Sequence, residues 1–69
     1  MAYKKKIKGI IYFIRYTDVL TYIYEDTNSK EFKDAIALFN KIGEFCRTFS
    51  KCDYDGDIIE IFHYYKLPI

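Results

Sequence analysis

The hydrophobic pattern of the chain begins with Gly9-Ile10-Ile11-Tyr12-Phe13-Ile14, a run without a polar side chain to break it. A strand with one wet face alternates apolar and polar residues, so this run predicts a strand covered on both faces. The strand is placed from about Tyr3 to Tyr16. Ile7, Gly9, Ile11, Phe13 and Arg15 lie on one side, and Lys8, Ile10, Tyr12, Ile14 and Tyr16 on the other. A second strand follows from about Val19 to Glu25, after a turn at Thr17-Asp18. Its faces are Val19, Thr21, Ile23 and Leu20, Tyr22, Tyr24. Loop length decides which faces join, because a one-residue slip turns every side chain over. Thr17-Asp18 is not one of the Asn-Gly or Asp-Gly pairs that favour a two-residue hairpin loop. A three-residue loop is therefore expected, which sets Tyr12 and Tyr16 beside Tyr22 and Tyr24.

Asp26-Thr27-Asn28-Ser29 is a polar break. Ser29 suits a helix N-cap, and Asn28 with Glu31 offers a competing capping-box spacing. Phe32, Ala35, Ile36, Phe39, Ile42, Cys46 and Phe49 then recur at spacings of three and four, which predicts one helix reaching about Phe49. Gly43 falls inside it, at a cost of about 1 kcal/mol relative to Ala, and a close approach to the sheet is the expected reason. Asp55-Gly56 marks a turn. A third strand from Ile58 to Lys66 sets Ile59, Ile61, His63 and Tyr65 against Ile58, Glu60, Phe62, Tyr64 and Lys66, and Pro68 ends it.

Strand, strand, helix, strand is an α+β pattern, ββαβ, forming a single domain over residues 1–69. A helical crossover makes the second and third strands parallel. The doubly apolar first strand belongs between them. The expected sheet is therefore three-stranded, order 2-1-3, with strand one central and antiparallel to both neighbours. The helix should cover Ile7, Ile11, Phe13, Val19, Ile23, Ile59 and Ile61, with Gly9 giving it room. The other face then presents Ile10, Tyr12, Ile14, Tyr16, Leu20, Tyr22, Tyr24, Phe62 and Tyr64, and no second helix remains to cover it. A contiguous apolar patch of that extent marks an interaction surface, and tyrosine suits one because its ring is large and its hydroxyl tolerates water.

Composition sharpens this picture. Over 69 residues, 51% are hydrophobic and 20% aromatic, with 8 Tyr and 6 Phe, which excludes a disordered chain. A net charge of +1 gives only a weak overall field, so no strong pull toward nucleic acid or anionic lipid follows. The longest apolar run is too short to span a bilayer, and no small-residue cleavage site follows it. A cytoplasmic protein without membrane association is expected. Cys46 and Cys52 are read as reduced thiols, with a short local bridge left open.

Catalytic chemistry is not signalled. His63 is the single histidine, too few for a four-ligand zinc site with two cysteines. The 3 glycines provide no phosphate-cradling loop. Asp53, Asp55 and Asp57 alternate, but a calcium loop of the EF-hand type needs Gly sixth, and Gly56 stands fourth. Neither catalytic residues, nor a metal, nor a cofactor is expected.

The function expected is a small non-enzymatic protein-interaction module, self-associating as a homodimer through the tyrosine-rich face. A secondary expectation is that it acts as an inhibitor or accessory factor on a protein partner, as compact accessory proteins of viruses or mobile elements do. The alternative is single-stranded nucleic-acid binding. Tyr12, Tyr22, Tyr24 and Tyr64 would then stack on bases, and Lys4, Lys5, Lys6, Lys8 and Lys66 would contact phosphate.

Overall fold

A computed structural model of the chain describes residues 6–67. Four strands and one helix follow in the order β1 (Lys8–Arg15), β2 (Asp18–Tyr24), α1 (Lys30–Ile42), β3 (Glu44–Cys52) and β4 (Ile58–Lys66). The strands form one mixed sheet in the order β2-β1-β4-β3. β1 pairs antiparallel with β2 and parallel with β4, and β3 pairs antiparallel with β4. This corrects the three-stranded sheet expected from the sequence, in which the first strand was antiparallel to both neighbours. The extra strand is the reason. The helix does return the chain in the direction of β2, but it lands on the far edge as β3. The hairpin to β4 then reverses direction, so β4 runs alongside β1.

The helix stops where the sequence reading carried it on. Ser29 caps its start, with Ser29 Oγ accepting from the Phe32 N–H at 3.2 Å. Gly43 caps its end, its N–H donating to the Phe39 carbonyl at 2.9 Å. Gly43 then turns extended, and Glu44–Cys52 continues as a strand in which Phe45, Thr48 and Phe49 are residues that favour a pleated surface. The glycine is needed for space: a Cβ there would strike the Phe13 ring. Cys46 and Phe49 fitted the helical spacing by coincidence and lie instead in β3.

The hairpin also differs. Arg15 pairs with Asp18, so the loop is the two residues Tyr16 and Thr17, with Tyr16 at φ 54°. The register sets Leu20, Tyr22 and Tyr24 beside Phe13, Ile11 and Gly9, on the helix side. Val19 and Ile23 pair with Ile14 and Ile10 on the opposite side, not under the helix as expected.

The core lies between the helix and the two central strands. Ile11, Phe13, Phe32, Ala35, Phe39 and Tyr65 are buried, with Tyr24, Ile36 and Leu67 packed against them. Phe32 lies over Gly9, where any Cβ would collide with its ring. Phe39 meets Phe13 edge-on, with ring centroids 5.0 Å apart, and approaches Tyr22 at 5.1 Å. The Tyr65 hydroxyl donates to Asn40 Oδ1 at 3.0 Å, which satisfies the one polar atom this ring carries into the core. Burial holds the Tyr65 phenol above its ordinary range. It does the same to Tyr24, assisted by Tyr22 and Glu31 nearby. Of the N-terminal lysines, Lys6 is exposed and Lys8 opens β1, whereas Lys4 and Lys5 lie outside the described residues. Pro68 also lies outside them.

Candidate docking face

The sheet face away from the helix is built by the alternate residues of all four strands. β1 contributes Lys8, Ile10, Tyr12 and Ile14; β4 contributes Glu60, Phe62, Tyr64 and Lys66 beside them. β2 adds Val19, Thr21 and Ile23. β3 adds Glu44, Arg47, Phe49 and Lys51. A register shift between Phe45 and Arg47 inserts Cys46 as an extra residue and inverts the alternation. Phe45 therefore packs on the helix side against Tyr65, while Phe49 faces the other way.

Aromatic rings cross the middle of this face. Tyr12 stacks on Tyr64 with centroids 4.9 Å apart, and lies 6.4 Å from Phe62. Tyr64 meets the Phe49 ring edge-on at 5.6 Å. The Arg47 guanidinium carbon sits 5.7 Å from the centre of the Phe49 ring, within cation–π reach. On the β2 side the surface turns aliphatic, with Val19 54% and Ile23 63% exposed, and Phe49 is 50% exposed at the other margin. Charges alternate around the rings: Glu60 lies between Lys8 and Lys51 in the register, and Glu44 lies opposite Lys66. The face is thus apolar at its centre inside a charged rim in which Lys8, Arg47, Lys51 and Lys66 outnumber Glu44 and Glu60, and an apolar centre within a polar rim is the layout of protein-docking surfaces.

Of the residues expected at the interface, Ile10, Tyr12, Ile14, Phe62 and Tyr64 meet on this face. Leu20, Tyr22 and Tyr24 are on the other side, and Tyr16 occupies the hairpin loop, 69% exposed. Val19, Ile23, Arg47, Phe49 and Lys51 belong to the face and were not foreseen. The loop length would have brought in the first two. For the rest the available signal was Gly43, read as a helix stop and followed by alternation at Arg47, Phe49 and Lys51.

Other groups with chemical potential are held by structure. His63 lies on the helix side of β4, between the rings of Phe32 and Phe45, and its Nδ1 shares a 3.1 Å hydrogen bond with Thr48 Oγ1. Burial lowers its pKa from the usual value of 6.5. Asp53, Asp55 and Asp57 place carboxylate oxygens within 4.8 Å of one another in the β3–β4 turn. Asp53 Oδ1 accepts from the N–H groups of both Asp55 and Asp57 at 3.0 Å, and Gly56 supplies a φ of 85°. These are the bonds of a self-capped turn. Cys46 and Cys52 are both free and exposed. Among the described residues no helix is long and apolar enough to cross a membrane.

Comparison with known proteins returns no family model, no curated protein and no solved structure that matches the chain. The functional reading therefore rests on the geometry of the face.

Proposed function

We propose that this chain is a non-enzymatic protein-interaction module that docks through the open sheet face, most simply onto the same face of a second copy. The supporting observation is the aromatic row Tyr12, Phe62, Tyr64 and Phe49, bordered by Ile10, Ile14, Val19 and Ile23 and left uncovered by the described chain. Fully burying a side chain of this size contributes about 1.5–3 kcal/mol. A few such side chains at the centre of a contact would outweigh the modest loss from desolvating charges that have opposite charges beside them. A compact inhibitor or accessory factor would use the same surface on a different protein. Phe49→Glu places a charge at an already half-exposed site, so the fold is retained. Sedimentation should show the wild-type assembly losing half its mass in this variant. Equal masses for wild type and variant would refute face docking between copies.

A second reading has its own support. Arg47, Lys51, Lys66 and Lys8 surround rings on the two central strands and their β3 neighbour, which is the layout by which open sheets stack single-stranded bases. Tyr12, Phe62, Tyr64 and Phe49 would be the stacking set, in place of Tyr22 and Tyr24. Titration with fluorescent single-stranded RNA and DNA at low salt tests it. Saturable binding weakened by Arg47→Ala would support it, and a flat titration would end it.

A further inference from the structure

The two edges of the sheet are built differently. β3 carries Glu44, Arg47 and Lys51 and two register shifts, at Phe45/Arg47 and Lys51/Cys52. Charges and bulges are the devices that stop an edge from pairing with another chain. β2 has neither. Asp18-Val19-Leu20-Thr21-Tyr22-Ile23-Tyr24 bears its single charge at the first position, contains no proline or lysine, and keeps an unbroken register with β1. All of it but Tyr24 is exposed.

The hairpin fixes which main-chain groups of β2 are unpaired within the sheet. Arg15 and Asp18 flank a two-residue loop and so exchange hydrogen bonds with each other. Antiparallel pairs alternate between bonded and non-bonded, so Asp18, Leu20, Tyr22 and Tyr24 bond to β1. Val19, Thr21 and Ile23 therefore aim their N–H and C=O groups away from the sheet.

We propose that β2 pairs antiparallel with β2 of a second copy, with Thr21 opposite the partner's Thr21. This register overlaps the strand completely and uses every outward group, giving about six main-chain hydrogen bonds. Val19 then faces the partner's Ile23, and Leu20 faces the partner's Tyr22. β-branched, aromatic and Thr–Thr pairs of this kind are favourable across strands. Asp18 faces the partner's Tyr24, so the one charge never meets its own copy. The two-fold axis stands perpendicular to the sheet, which leaves both helices on one side. The two open faces join into one surface with four strands from each copy. The inference goes beyond face docking and does not depend on it.

The Phe49→Glu background isolates the edge. Phe49→Glu alone should sediment as a dimer, and Phe49→Glu with Thr21→Lys should fall to half that mass, because two lysines would face each other across the axis. Circular dichroism checks that both fold. The register is tested with both native cysteines changed to serine. Thr21→Cys should crosslink to itself under mild oxidation. Val19→Cys alone should not, because the partner's Val19 is about 14 Å distant. A mixture of Val19→Cys and Ile23→Cys chains should crosslink, at a separation of about 5.5 Å. A monomeric Phe49→Glu variant, or a Thr21→Cys chain that crosslinks no faster than Val19→Cys, overturns the proposal.

Discussion

At the scale of single residues, two backbone positions pull in opposite directions. Gly9 is fixed by the Phe32 ring above it. Gly9→Ala should destabilise the protein by about 1–3 kcal/mol, the usual cost of overpacking a filled site. Tyr16 has the reverse problem. Its φ of 54° lies in the left-handed region, which costs a bulky residue about 1–2 kcal/mol, and its side chain is largely in solvent. Tyr16→Asn should raise stability by about 0.5 kcal/mol, since Asn tolerates that conformation. Urea midpoints measure both. His63 supplies a pH dependence. Burial among Phe32, Phe45 and Thr48 lowers its folded pKa, so the unfolded chain binds the proton more readily. Its contribution is whole above the unfolded value of 6.5 and is lost as pH falls from there through the folded pKa. Stability measured at pH 7.5 and 5.5 should fall less in His63→Gln than in the wild type, and equal losses would contradict this assignment.

At the scale of elements, the legible parts of the sequence were those with a single physical reading. The apolar run of β1, the Ser29 cap, the Phe32–Ala35–Ile36–Phe39 stripe and the alternation of β4 all appear where the pattern put them. The failures came where two periods fitted one segment. Phe39, Ile42, Cys46 and Phe49 satisfy helical spacing, yet the chain after Gly43 alternates as a strand, and the bulge at Cys46 hides that alternation by inverting it. Within the hairpin, Tyr16-Thr17 lacks the glycine or asparagine that would have announced a two-residue loop, so the register was read one step out and Val19, Leu20, Tyr22, Ile23 and Tyr24 were all assigned to the wrong face. That misreading set Tyr22 and Tyr24 on the docking face, whereas the observed register puts them on the helix side, where they meet Phe39 and Phe32. The sheet order carries its own prediction. β1 and β4 are paired on both sides, whereas β2 and β3 each have one free edge. Amide hydrogen exchange should be slowest in Ile11–Phe13 and Ile61–Tyr65. Protection of β3 equal to that of β4 would mean the strand is covered by something other than this fold.

At the scale of the whole molecule, one short helix cannot close a four-stranded sheet on both sides, and the uncovered side keeps a row of rings, Tyr12, Phe62, Tyr64 and Phe49, inside a rim of charges. That imbalance is what makes docking the best-supported reading, and it separates the face from the β2 edge, which is exposed for a different reason: unpaired main-chain groups. The two surfaces are distinguishable in solution because edge pairing leaves the face open. Hydroxyl-radical footprinting at low and high protein concentration measures the face directly. Tyr12, Phe49, Phe62 and Tyr64 should lose reactivity as concentration rises, while Tyr16 in the hairpin loop should not. Unchanged reactivity of those four rings at every concentration would contradict face docking.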